Sequence, residues 1–315
     1  MEAPVRDDEI FVYMGGDQQV PDGVRRARIH KSVKIVRARA FIGRHDLISV
    51  EFHDGVEIIG EWAFGGCAFR HVKLLGIKII KKWAFCHCFD LTVVEFGDKL
   101  ETIEGNAFRE CTLLRNIIIP TVRTIGVQAF YDCKQLTDLD LPEGLETVEY
   151  SAFHNCQRLE RINMPLKDEL IEGHVFDGCP NLTSVNLVGR VHKTIASLHL
   201  DSWRNDFEEE IICDLDLPNT PDQFKTGDIR EWTESVISLL SHYKAEHNKV
   251  LKEATTLLEL ALWKANLDDN EGGLLEREGV RATRRQRKRA RKEICVTSGA
   301  SIVIKNVLPF LTLLE

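Results

Sequence analysis

The sequence predicts a solenoid of short parallel β-strands, about seven to eight rungs of 21–23 residues, followed by an α-helical C-terminal region. Three observations carry that prediction. A unit Ile/Val-x-x-x-Ala-Phe-x-x-Cys recurs from residue 27 to 190, a short apolar alternation accompanies each copy, and a heptad-like stripe appears once the repeat has stopped.

The unit reads IGEWAFGGC from Ile59, IKKWAFCHC from Ile80, IEGNAFREC from Ile103, IGVQAFYDC from Ile125, VEYSAFHNC from Val148 and IEGHVFDGC from Ile171. An earlier copy at Val36 ends in Ala40-Phe41 and carries Arg44 where the cysteine would stand. The phenylalanines fall at 41, 64, 85, 108, 130, 153 and 176. Between them lie alternating pairs such as Val72/Leu74, Val94/Phe96 and Leu139/Leu141, with Ala27/Ile29 ahead of the first full copy. Period-two alternation over so few residues reads as a strand buried on one side. Pro120, Pro142 and Pro165 follow three of these segments and are expected to end them, since proline cannot donate to a ladder. Alanine then allows tight packing and phenylalanine fills the interior. Such units cannot bury their faces alone, so they stack, and the stack needs closed ends. Residues 1–26 are the expected N-terminal cap, with Phe11, Val12 and Tyr13 over the first rung.

These residues resemble the BspA-type (Treponema-type) leucine-rich repeat, with its Ile-Gly-x-x-Ala-Phe-x-x-Cys core and proline after the strand. The resemblance covers roughly residues 27–188 and implies a leucine-rich-repeat solenoid that binds a ligand, in some members as a surface adhesin. Arg44, a shortened second copy and Val175 depart from the pattern and read as worn repeats.

Residues 191–266 form the expected helical region. Leu200, Trp203, Phe207 and Ile211 make one stripe of a short helix. Pro218 and Pro221 break the chain, and Asp228 is the expected N-cap of a long amphipathic helix over 229–266, with Glu231 three residues on. Its seam runs through Ile229, Trp232, Val236, Leu240, Tyr243, His247, Val250, Ala254, Leu257 and Ala261. This seam packs on the solenoid end and the shorter helix, or it pairs with a second chain. Residues 267–292 read as a linker, acidic and then basic, and 293–315 as an apolar segment that docks on the helices or on a partner. The tail resembles one found in algal proteins of this repeat type, through HKTIASL, HYKAEH, LLELALWKANLD and IKNVLPFL.

Cys67, Cys88, Cys111, Cys133, Cys156 and Cys179 share one repeat position and therefore form a column. A structural role as small buried thiols is the main reading, with inter-rung disulfides and zinc as the alternatives. No HExxH, GxSxG, GxxxxGK or GxGxxG occurs, so no catalytic residue, metal or cofactor is expected. The outward strand positions include Glu51, Lys73, Glu95, Asn116, Asp138, Asp140, Arg161 and Asn163. They mix both charges without an aromatic stripe, which favours a protein or peptide ligand over sugars or bases.

The chain has 315 residues and a net charge of −8, yet nine Arg/Lys stand between Arg277 and Lys292 against Glu278 alone. Arg284, Arg285, Arg287, Lys288, Arg289, Arg291 and Lys292 form its basic cluster, read as a solvated surface, an import signal or a phosphate-binding arm. Nucleic acid is expected only there. No apolar run reaches the roughly 20 residues of a membrane span, and the N-terminus lacks a signal-peptide pattern. The expected location is cytoplasmic or nuclear rather than secreted, with reduced thiols.

Overall fold

A computed structural model describes residues 10–188, 214–217 and 220–277. The described residues fall into two compact units, divided inside the C-terminal helix between residues 237 and 238.

The alternating segments form eight strands on one face. They are β2 (Arg26–Ile29), β4 (Ser49–Glu51), β6 (His71–Leu74), β8 (Val93–Phe96), β10 (Asn116–Ile118), β12 (Asp138–Asp140), β14 (Arg161–Pro165) and β15 (Ser184–Val188). Neighbours other than β4 and β6 pair in parallel, in a register that matches repeat positions: Asn116 lies opposite Val93 and Asp138, and Ile117 opposite Val94 and Leu139. A second row stands beside the first, without an alternating signal in the sequence. It comprises the two-residue strands β3 (Ile35–Val36), β5 (Ile58–Ile59), β7 (Ile79–Ile80), β9 (Thr102–Ile103), β11 (Thr124–Ile125) and β13 (Thr147–Val148), also parallel. The residue that opens the repeat motif is therefore itself a ladder residue. Pro165, expected to follow a strand, is the last residue of β14 opposite Val188; a terminal position tolerates the missing N–H.

The core is one column of stacked rings. Phe64, Phe85, Phe108, Phe130 and Phe153 lie 5.1–5.3 Å apart, nearly parallel and fully buried. Two residues before and two residues after the core phenylalanine the chain passes through the left-handed region: Asn106 and Glu110, Gln128 and Asp132, Ser151 and Asn155 all have φ of 55–63°. Asparagine, aspartate and glycine suit those positions, and the stacked rungs impose them on the rest. In the shortened second copy Phe69 occupies the leucine position one residue early, edge-on to Phe64 and Phe85 at 5.9 and 6.0 Å. The strand ladder opens at this copy, with β4 ending one sheet and β6 beginning the next.

Both ends are closed. β1 (Ile10–Tyr13) pairs in parallel with β2, and Tyr13 lies 5.2 Å from Phe41 at the head of the ring column. Tyr13 is buried, whereas Val12 on the other face of the strand is exposed. Arg44 is not a worn cysteine: its guanidinium donates to the Val20 carbonyl at 2.6 and 3.0 Å and pairs with Asp22, tying the first copy to the cap. At the far end β16 (Asp214–Asp216) adds antiparallel to β15, a strand inside what reads as a helical region. It covers an edge that would otherwise offer unpaired backbone.

The helix α1 (Lys225–Arg277) begins earlier than expected and runs on through the acidic stretch read as a linker. Asp228 is not its N-cap. It sits in the first turn and accepts the Thr220 hydroxyl at 2.8 Å, after a turn at Asp222–Phe224 has already aligned the chain. The first two residues of α1 close the solenoid. In each rung the Phe N–H donates to the Ala or Val carbonyl of the next, as in Phe130 to Ala152 and Phe153 to Val175. Phe176 has no next rung, and its N–H donates to the Thr226 hydroxyl at 2.9 Å, while that hydroxyl donates to Asp177. Lys225 is 2% exposed and its Nζ donates to the carbonyls of Cys179, Pro180 and Leu182 at 2.7–2.9 Å. Ile229 and Val236 of the seam are buried as well. The stripe Leu200–Ile211, the cap residues 1–9, the basic cluster and the segment 293–315 lie outside the described residues.

Truncating the middle of the ring column, Phe130→Ala, is expected to cost about 3–5 kcal/mol through lost burial and a cavity. Lys225→Met, which leaves the Pro180 and Leu182 carbonyls without the ammonium that meets them, is expected to cost about 2–3 kcal/mol. Urea unfolding midpoints check both; a Lys225→Met midpoint equal to wild type would remove the lysine from the closure.

Candidate functional site

The outward strand positions make two rows across the rungs. One contains Arg26, Ser49, His71, Val93, Asn116, Asp138, Arg161 and Ser184; the other contains Arg28, Glu51, Lys73, Glu95, Ile118, Asp140, Asn163 and Asn186. Every strand-face residue expected from the sequence lies on one of these rows, and register joins them in pairs. Lys73 meets Glu95 at 2.9 Å, Arg161 meets Asp138 at 2.6 Å, and Asn163 donates to Asp140 at 2.6 Å. Asn186 continues the chain to Asn163 at 2.7 Å, and Thr137 donates to Asn116 at 3.2 Å. Glu51 is held by Arg28, a partner the sequence does not flag. Asp138 and Asp140, neighbours on one strand face, thus answer to different partners and do not form an acid–base pair.

Exposed pairs of this kind contribute little to stability. Their effect is to fix rotamers, so the face meets a ligand with less side-chain entropy left to lose. At its centre stands Ile118, 70% exposed, with Glu95 and Asp140 as its register neighbours and Val93 on the adjacent strand. Its outward direction is legible from strand alternation; its isolation among paired polar neighbours is not.

The cysteine column is buried and structural in geometry. Each thiol donates to the Phe carbonyl of the rung before: Cys67 to Phe41, Cys88 to Phe64, Cys111 to Phe85, Cys133 to Phe108, Cys156 to Phe130 and Cys179 to Phe153, at 3.2–3.4 Å. All six are free thiols. Burial pushes Cys67, Cys111, Cys133 and Cys156 well above the ordinary thiol range. Cys86, outside the column, is pushed up to about 12, first by burial and then by Glu110. Among the described residues no three His, Cys, Asp or Glu side chains gather to hold a metal, and no helix is long and apolar enough to cross a membrane.

The sequence matches the BspA type leucine rich repeat region, in six copies, over residues 23–120 and 102–199. The chain belongs to this family. Among solved structures it is similar to a leucine-rich repeat protein from Bacteroides ovatus, at 22% identity and a TM-score of 0.41, over 54% of this chain and 50% of that one. It thus spans half the length of that protein. It is also similar to the T. pallidum leucine-rich repeat protein, at 21% identity and a TM-score of 0.36, over 61% and 84% of the two chains. A leucine-rich cell surface protein from Faecalibacterium prausnitzii matches at 19% identity and a TM-score of 0.28, over 58% and 66%. No curated protein matches the chain.

A thiol whose folded pKa exceeds its unfolded value stabilises below the unfolded value, near 9.0, and loses that contribution as pH rises toward the folded one. The BspA-type column is therefore expected to resist iodoacetamide at pH 8.5 in the native state and to react on unfolding. Stability is expected to fall as pH climbs above about 9. Mass-spectrometric alkylation and urea midpoints against pH check both; rapid native labelling of Cys111 or Cys156 would contradict the burial argument.

Proposed function

We propose that the protein is a non-enzymatic interaction module that binds a protein or peptide through the strand face. The observation that carries this reading is Ile118, a large apolar side chain held in water at the middle of a row of mutually paired polar residues. Interface energy concentrates in a few central anchors surrounded by residues that exclude water, and a rigid solenoid presents such a row without rearrangement.

The test is affinity capture from native lysate with wild type and Ile118→Asp in parallel. The variant is expected to keep the wild-type melting temperature, because exposed substitutions change stability by about 0.5 kcal/mol or less. It is expected to lose the stoichiometric partners that wild type retains. Identical partner sets would move binding off this face. Reversing both Asp138 and Asp140 should weaken the same partners, with little change in melting.

Two further readings concern the C-terminal part. Leu257, Leu260 and Leu262 of α1 are 54–56% exposed, which supports pairing of this part of the helix with a second copy. Sedimentation equilibrium should then report a dimer that Leu257→Lys dissociates, and a monomer across concentration would refute it. The basic cluster Arg284–Lys292 supports a phosphate-binding arm, for which capture should be lost on nuclease treatment and weaken steeply with salt.

A further inference from the structure

A cleft of about 380 Å³ stands beside β1, β2 and β4 at the N-terminal end of the solenoid, lined by Val12, residues 28–31 and residues 51–53. That volume lies within the range of ligand pockets. Its floor is apolar. Val12 is 39% exposed on β1, Ile29 is buried behind it, and Phe52 closes the base edge-on to Phe64 at 5.6 Å. One wall is set by His53, whose Nε2 lies 3.1 Å from the carbonyls of both His30 and Val33 and so must donate, while Nδ1 accepts the Gly55 N–H. This imidazole is committed on both nitrogens and holds the wall in place.

The rim is cationic. Between Arg25 and Arg44 there are eight Arg/Lys and no Asp or Glu. Two of them are neutralised on the cap side, Arg37 by Asp17 and Arg44 by Asp22, and Arg28 by Glu51 on the strand face. Among the described residues Arg26 and Lys31, both exposed, have no ion-pair partner. The strand face is thus polarised: Arg26, Arg28 and Lys73 outnumber Glu51 at this end, and Glu95, Asp138 and Asp140 outnumber Arg161 beyond it.

We propose that the cleft anchors an acidic peptide segment, one apolar side chain of which fills the floor of Val12, Ile29 and Phe52 while flanking carboxylates meet Lys31 and Arg26. The proposal rests on the strand-face reading and names the chemistry of its partner. Charge complementarity selects the acidic segment, and the apolar floor separates a peptide from a bare polyanion.

The test is selection of random dodecapeptides displayed on phage against the full chain, followed by fluorescence anisotropy of the selected peptides. Expected are sequences rich in Asp and Glu around a Leu, Ile, Phe or Trp, bound about tenfold more weakly by Val12→Asp and by Lys31→Glu. Both substitutions are at exposed positions, and unchanged melting temperatures confirm folding. Selection of no peptide, or of peptides without acidic enrichment, overturns the proposal. So does displacement by a single-stranded oligonucleotide as effective as the peptide itself, which would identify a polyanion site. Selected peptides that lose affinity for Ile118→Asp but keep it for both cleft variants overturn the cleft and leave the strand-face reading standing. Loss in the cleft variants alone supports the cleft while removing the centre of the face.

Discussion

In the middle repeats, from Phe64 to Phe130, one residue, the core phenylalanine, joins three rungs. Its N–H donates to the next rung's Ala or Val carbonyl, its ring lies between the rings above and below, and its carbonyl accepts the thiol of the following copy's cysteine as well as the N–H of its own. A carbonyl has two lone pairs, and here both are used inside a dry core where an unmet acceptor would cost about 1–3 kcal/mol. That accounting explains why a cysteine stands at the position. A serine could donate too, but its hydroxyl is dearer to bury, and an alanine would leave the carbonyl half-met. Strands, turns and outward rows all follow from keeping this unit in register.

A ladder built this way is never complete at its ends, and the two ends are resolved with different chemistry. At the N-terminal end the need is for a ring and a parallel strand, met by Tyr13 and β1. At the C-terminal end the missing rung would have supplied a carbonyl to Phe176, and Thr226 supplies an oxygen instead. The carbonyls of Cys179, Pro180 and Leu182 converge, the first already accepting the Leu182 N–H, and a single ammonium meets all three. Burial pushes the Lys225 pKa below the usual lysine range, the mark of a charge held where water is scarce. The start of α1 is therefore part of the solenoid's closure.

What the sequence shows and hides follows from how local each signal is. The phenylalanine period, the alternating strands and the column of cysteines are repeated, so comparison within the chain reveals them. The second strand row carries no such signal, because two residues such as Ile58-Ile59 or Ile79-Ile80 cannot display a period of two. Phe69 looks like a missing leucine until the turn is seen to be one residue short. Lys225 carries no local signal at all: it sits 43–46 residues from the carbonyls it serves, in a segment of ordinary polar composition. On the strand face, direction was legible and partnership was not, because pairing across rungs needs the register that only stacking defines.

The second strand row differs from the first in how its charges are disposed. Just ahead of it runs a column of alternating sign, Lys34, Glu57, Lys78, Glu101, Arg123 and Glu146, each residue's N–H bonded to the carbonyl of the one before. Lys78 pairs with Glu57 and Arg123 with Glu146, both at 3.1 Å, and the Lys78 ammonium holds the Glu57 carboxyl below the usual range. Alternation thus pairs four of the six charges within the column and sets every charge beside neighbours of opposite sign, which leaves little for an outside ligand. The strand face breaks its own alternation twice, with an isoleucine at its centre and a surplus of cations at one end. In a stack where each rung repeats the last, a departure that improves neither packing nor pairing has its natural use in a contact made by something else.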